Sequence, residues 1–238
     1  MRGMSAHDLT LLVRDVYLIA QMHENRVNVQ SIKERTRTAL LDATERLLAR
    51  VGYAQLTMEL LGQEAGVARR TVYLYFRGKE EAVLGTVDRI VDRVTARLTE
   101  LAAGDAPAAE RIVHMLVARV VIRADSVHGY SRALDGLFAS LRAAILERRR
   151  VYFAREASQL AAVIRAGQRA GELRAGDARK RADLLILCTN ALLPHALSDS
   201  DLSDPKAIER RALAVAQLLL EGLRSRSQSK TKRTNEGT

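Results

Sequence analysis

Proline is scarce in this chain, with three in 238 residues, and only 14 glycines share the work of breaking it. A sandwich or barrel of many short strands needs far more turn residues, so such folds are excluded. The long unbroken stretches are rich in alanine, leucine, arginine and glutamate, which are strong helix formers; the class read from them is all-α. A single cysteine, Cys188, excludes an intramolecular disulfide and agrees with a reducing cytoplasm. It sits in an apolar run without the basic neighbours that would lower a thiol pKa. No apolar run approaches the roughly 18–20 residues of a membrane span. The segment 9–22 is interrupted by Arg14 and Asp15 and carries no cleavage pattern. A soluble cytoplasmic protein without a membrane partner is expected. The five histidines fall at no metal-ligand spacing, and no phosphate loop or nucleophile motif occurs. No metal, no cofactor and no enzymatic activity are therefore expected.

What is present is positive charge and helical periodicity. A net charge of +10 favours a polyanionic partner, although charge alone is weak evidence. Residues 1–30 read as an N-terminal extension, either disordered or one short helix with Leu9, Leu12, Val16 and Ile19 on one face. Ser31 and Glu34 fit a capping box, predicting a first helix over 32–51 that Gly52 stops. Thr57 caps a short second helix to Glu64, and Ala65-Gly66-Val67 turns the chain. A third helix follows over 69–75 and, after Gly78, a fourth over 79–103. Further helices are predicted over 108–124, over 131–170 with one break, and over 178–193, where Pro194 ends the last. Asp204-Pro205 begins the final helix, to Leu223. The basic tail 224–238 lacks periodicity and reads as disordered. The implied division is an extension (1–30), a three-helix headpiece (31–78), a helical regulatory and dimerisation domain (79–223) and the tail.

Two short helices joined by a glycine turn make a helix-turn-helix, whose second helix enters the major groove. Leu60, Leu61, Ala65, Val67, Val72 and Phe76 are the apolar residues that lock it. Arg69, Arg70, Thr71, Tyr73 and Tyr75 are left on the third helix, where guanidinium and hydroxyl groups suit bases and phosphates. Thr57 and Lys79 bring helix N-termini, a hydroxyl and an ammonium to phosphates. Four of the nine aromatic residues, Tyr53, Tyr73, Tyr75 and Phe76, lie in this stretch. The competing reading packs Tyr73 and Tyr75 into a small core.

The stretch LLDATERLLARVGYAQLTMELLGQEAGVARRTVYLYFRGKEEAVL, residues 40–84, resembles the DNA-binding domain of the tetracycline-repressor (TetR) family. Val51-Gly52-Tyr53, Thr57, Ala65-Gly66-Val67, Thr71-Val72-Tyr73, Tyr75-Phe76 and Lys79-Glu80-Glu81 carry it in order and spacing. The resemblance implies phosphate contacts for Thr57, Tyr73 and Lys79, and positions near bases for Arg69, Arg70, Thr71 and Tyr75. Arg35 and Arg37 would reach the backbone or minor groove, or else form a solvated helix start. Two departures stand out: Ala68 replaces a frequent capping serine, and Gly62 a frequent alanine. The loss of that cap is worth about 1 kcal/mol.

Residues 105–223 resemble the variable ligand-binding and dimerisation domain of such regulators. In the family the last two helices pair with their mates, which here implies Leu184, Leu185, Cys188, Leu192, Ile208, Ala216, Leu219 and Leu223, with Leu213 beside them. An effector pocket among the middle helices is assigned to His114, Met115, Phe138 and Tyr152, although each residue of this kind is more often plain core. Arg142 and Arg148-Arg149-Arg150 either meet an acidic ligand or form a solvated face. The implied protein is a homodimeric repressor on a palindromic double-stranded operator, released by an unidentified, largely apolar small molecule. An activator and an architectural DNA-binding protein are the alternatives.

Overall fold

In the computed structural model the backbone is described for residues 6–224 and the side chains for residues 30–224. Every regular element among them is helical, and Leu173 and Arg224 share an isolated β-bridge. The first helix, α1 (Ala6–Gln55), does not begin at Ser31. It runs straight through that residue, because no proline or glycine between Gly3 and Gly52 interrupts it. Gly52 does break the helix, with φ of 73° and ψ of 174°, a conformation that costs glycine little. The side chains of Leu9, Leu12, Val16 and Ile19, and the basic tail from Ser225, lie outside the described residues.

Helices α2 (Met58–Ala65), α3 (Arg69–Tyr75) and α4 (Lys79–Ala103) fall within one residue of their predicted bounds. Their ends are local. Thr57 Oγ1 accepts from the Leu60 N–H at 3.2 Å, and Gly66 takes the left-handed C-cap at φ 69°. Helix α5 (Ala108–Val127) outlasts its predicted end and passes into a 3₁₀ turn, His128–Ala133, where a loop was expected. Helix α6 (Leu134–Arg169) is continuous, although one break was expected within it. Its middle, residues 142–155, buries no side chain fully, and this interrupts the apolar periodicity without interrupting the helix.

Helix α7 (Ala178–Thr189) stops four residues before its predicted end and gives way to two 3₁₀ turns, Asn190–Leu192 and Pro194–Ala196. A buried cation ends it. Arg119 of α5 donates to Thr189 Oγ1, to Asn190 Oδ1 at 3.1 Å and to the Ile186 carbonyl at 3.5 Å. A guanidinium at a helix C-terminus favours those carbonyls. One turn of helix, α8 (Asp199–Leu202), was not anticipated, although Ser198 and Asp201 form a capping box around it. Helix α9 (Pro205–Glu221) begins as predicted, with the Asp204 carboxylate accepting from the Ala207 N–H at 2.9 Å.

Two apolar clusters fill the interior. One joins the headpiece, from Leu40 to Ile90, to Val120–Leu141 and to Ile208 and Ala212 of α9. The other packs the distal halves of α4, α5 and α6 with α7 and the end of α9. Three charged groups lie among them. Arg119 and Glu156 are both fully buried, with Arg119 Nε 2.8 Å from Glu156 Oε2, and Arg123 donates to the other oxygen, Oε1. Burial pushes the Arg119 guanidinium down to about 10, which leaves it charged at neutral pH.

Candidate nucleic-acid interface

Helix α3 has only seven residues, so its 100° step per residue decides which side chains reach solvent. Val72 and Phe76, four apart, are buried against α1, α2 and α4. The opposite face carries Arg70, Tyr73 and Leu74, at the i, i+3, i+4 spacing of one helical stripe. All three are exposed, Tyr73 by 45% and Leu74 by 76%. Leu74 is absent from the residues singled out by sequence. Its signal was an apolar residue on the polar side of an otherwise regular pattern, and such a side chain suits a thymine methyl.

The other predicted contacts divide. Arg69 is exposed but tied back to α2: its guanidinium lies 2.7 Å from Glu59 and 5.5 Å over the Tyr73 ring, with the Tyr73 hydroxyl at 3.4 Å. Arg70 has no ion pair among the described residues. Thr71 is half-buried, and Tyr75 is half-buried with its ring against the headpiece core, apart from the exposed stripe. Thr57 is exposed and spends one oxygen lone pair on its own helix cap. Arg35 is exposed, whereas Arg37 is half-buried with its guanidinium 5.9 Å from the Phe76 ring centre.

Lys79, expected at a phosphate, is engaged within the headpiece. Its ammonium donates to the Tyr53 and Ala54 carbonyls at 3.1 and 3.2 Å and lies 4.7 Å over the Tyr53 ring. It therefore fastens the end of α1 to the start of α4. On the other side of the headpiece Glu64 accepts from Arg46 and Arg50 of α1, each at 2.7 Å, and those two bonds hold its carboxyl below the usual range. Ala68 provides no side-chain bond to the start of α3, as its replacement of serine implied. At Gly62 an added Cβ would lie 2.9 Å from the Val67 carbonyl oxygen, so the turn has closed on a residue without a side chain.

Residues 40–84 match the model described as bacterial regulatory proteins, tetR family. Over that stretch the headpiece is similar to the TetR family. The match opens at Leu40, the first fully buried residue among the described side chains of α1, and closes at Leu84 in the second turn of α4. An uncharacterized HTH-type transcriptional regulator of Haemophilus influenzae is 42% identical over 59 residues, which is 25% of this chain and 32% of that protein. The HTH-type transcriptional repressor KstR of Mycobacterium tuberculosis is 28% identical over 103 residues, covering 43% and 46% of the two chains. The chain spans about a third to a half of the length of the curated relatives it matches. SmeT bound to triclosan is similar over 81% of this chain and 93% of its own, with a TM-score of 0.63 and 20% identity. A second structure of SmeT, described as the repressor of the Stenotrophomonas maltophilia multidrug efflux pump SmeDEF, gives a TM-score of 0.60 at 20% identity over 80% and 91%. At that identity the likeness shows the fold alone.

Beyond this TetR-like headpiece, a cavity of about 100 Å³ lies between α4, α5, α6 and the turn at Pro194. Two of the four predicted pocket residues, Phe138 and Tyr152, line it. The other two do not: Met115 is fully buried in the distal core, and His114 is exposed on the side of α5 that faces Leu213 and Gln217. Helix α5 reaches the cavity further along, through Arg123 and Val127. Of the predicted arginines, Arg142 and Arg150 are exposed, Arg148 lies 3.3 Å from Asp88, and Arg149 lines the cavity. Tyr152 also donates to Asp88 of α4, and burial with that carboxylate pushes its phenol up.

The residues assigned to self-association divide in the same way. Leu184, Leu187 and Cys188 form an exposed stripe on α7, with the leucines 51% and 64% exposed. Leu185, Ile208 and Ala216 are instead buried within the protomer, on the inward faces of α7 and α9. Leu192, Leu219 and Leu223 are half-buried, and Leu213 and Leu218 are exposed. Among the described residues no helix is long and apolar enough to cross a membrane.

Proposed function

We propose that this chain is a transcriptional repressor that binds a palindromic double-stranded operator as a homodimer and leaves it when a small molecule fills the cavity. The observation that carries the reading is the exposed Arg70–Tyr73–Leu74 stripe, on a short helix anchored from behind by Val72 and Phe76. Arginine matches guanine edges, a leucine matches a thymine methyl, and the phenol matches a phosphate. Repression rather than activation is supported by the descriptions of KstR and SmeT as repressors. Release is supported by the cavity wall: α4 contributes Thr86, Val87, Ile90 and Val91, and the same helix starts at Lys79, against the headpiece. A side chain or ligand that displaces α4 thus moves the residues that hold α1 and α3 in register.

Selection from random duplexes at physiological salt tests the reading; a recovered inverted repeat supports it, and recovery of no motif refutes it. Tyr73 separates DNA contact from folding. Its ring rests only on exposed Arg69, so Tyr73→Ala leaves denaturant stability within about 0.5 kcal/mol. The same variant lowers affinity for all duplexes alike and makes the dependence on salt shallower. Titrations at several salt concentrations, beside a urea melt, check both parts. For the dimer, Leu187→Glu places a carboxylate in the exposed stripe of α7. Sedimentation then shows a shift toward monomer with the helical signal intact, and operator binding weakens with it.

A further inference from the structure

The cavity is chemically lopsided. One wall is apolar, with Val87, Ile90, Phe138 and Leu193. On the other side Arg123, Arg149 and Phe153 line the cavity, and the guanidiniums of Arg119 (buried behind the wall), Arg123 and Arg149 lie 5.2, 5.9 and 5.4 Å from the Phe153 ring centre. The carboxylate among them is Glu156, and both of its oxygens are taken by Arg119 and Arg123. Asp88 nearby is occupied by Tyr152 and Arg148. Arg149 has no carboxylate within 4.0 Å among the described residues, and its polar partner is His195 Nε2 at 3.1 Å, accepting as a neutral ring. The cluster of Arg119, Arg123, Arg149 and Glu156 therefore carries about two positive charges in excess, and Arg149 is the member that meets the cavity without a carboxylate partner among the described residues, beside a low-dielectric space where unpaired charge is costly. The His195 imidazole responds to the same field: burial and then Arg149, Arg123 and Arg119 hold it below its usual range.

We propose that the molecule this cavity takes is a small organic monocarboxylate, with its head on Arg149 and a compact apolar body against the wall of Phe138 and Ile90. The planar guanidinium presents a fork that a carboxylate fits with two parallel bonds, and Arg149 spends little of its donor capacity on His195. The volume limits the body. A cavity of roughly 150 Å³ lined by aliphatic side chains takes benzene, so about 100 Å³ encloses a short branched alkyl group, or an aryl ring only in part. A second negative charge on the ligand finds no further cation among the other lining residues, whose polar groups are the hydroxyls of Thr86, Tyr130 and Tyr152 and the neutral His195 ring, apart from Arg123, which is already paired with Glu156. This rests on the reading of the cavity as the effector site, and sharpens it from an apolar ligand to an anionic one.

The test uses the purified full chain, with benzoate and isovalerate as probes and benzamide and isovaleramide as their uncharged isosteres. Calorimetric titration should show both carboxylates binding about 10-fold or more tightly than the matching amides. In Arg149→Gln the carboxylate falls to the level of the amide, and in Arg149→Lys part of the difference remains. Equal binding of acid and amide to the unaltered protein overturns the proposal, as does no carboxylate binding at millimolar concentration. A parallel titration of the protein on its selected duplex keeps the two readings apart. Carboxylates that bind without releasing DNA uphold the anion site and refute ligand release. Release by acid and amide alike upholds release and refutes the anion site.

Discussion

Glu156→Ala will destabilise this protein by about 3–5 kcal/mol, the usual cost of stripping the partner from a buried charge. Glu156 and Arg119 are each 0% exposed, and Arg123 is buried beside them. Removal of the carboxylate leaves two guanidiniums near each other in the interior, with only neutral partners among the described residues: the Phe153 ring, the Thr189 and Asn190 side chains and the Ile186 and Arg119 carbonyls. Urea unfolding at neutral pH measures the loss; a change below about 1 kcal/mol contradicts the network as drawn. A companion variant separates burial of charge from loss of packing. Arg119→Met, Arg123→Met and Glu156→Leu together remove all three charges at similar volume, and such replacements are often neutral or stabilising. The triple variant should recover most of the lost stability. It should not recover the geometry at the end of α7, where the Ile186 carbonyl, the Thr189 hydroxyl and the Asn190 side chain just beyond the helix are held by Arg119. On the proposal that the exposed stripe of α7 pairs two protomers, sedimentation of the triple variant shows weaker self-association.

The second large effect is on DNA. Arg70→Ala is expected to lower operator affinity by about 10–100-fold, the ~1–3 kcal/mol of a bidentate arginine–guanine contact. It should also relax preference at one position in each half-site. Arg69 offers the contrast. Its guanidinium is already paired with Glu59 at 2.7 Å and stacked on Tyr73, so it must give up those contacts before it meets a base. Arg70 surrenders no ion pair and keeps the whole of what it gains. Repeating the duplex selection with each variant checks this. An Arg70→Ala protein that recovers the same motif with the same stringency refutes base readout by this residue.

The helix ends of the headpiece were legible in the sequence because each is settled by neighbours in the chain. Thr57 caps α2, Gly66 takes the left-handed turn, and Gly52 and Gly78 bound the flanking helices. The same logic located Asp177 and Asp204 at the starts of α7 and α9, where both carboxylates accept from a backbone N–H three residues on. It failed at Ser31. A capping box is a local option, and a chain with no breaker on either side takes the continuous helix instead. It failed again in α6, where an interrupted apolar pattern was read as an interrupted helix. That gap exists because the middle of α6 looks into a cavity and toward solvent, and so needs no continuous stripe.

Side-chain facing was harder, and it governs the site. Apolar residues four apart on α9 and three apart on α7 look alike in sequence, whether they are buried by their own chain or left for another. Ile208 and Ala216 turn inward against α5, whereas Leu184, Leu187 and Leu218 turn out. Likewise Met115 and Phe138 are both apolar residues of middle helices, and only the packing of α4, α5 and α6 puts Phe138 at the cavity. By itself the sequence determined the all-helical class, the helix-turn-helix and its ordered motif, because propensity, capping and turn conformation act over a few residues. Only the tertiary structure decided that Tyr75 packs while Leu74 is exposed, and that Lys79 clamps α1. It also left Arg149 at a largely apolar cavity with no carboxylate partner among the described residues. These are contacts between segments from about 25 to more than 100 residues apart, which no local pattern encodes.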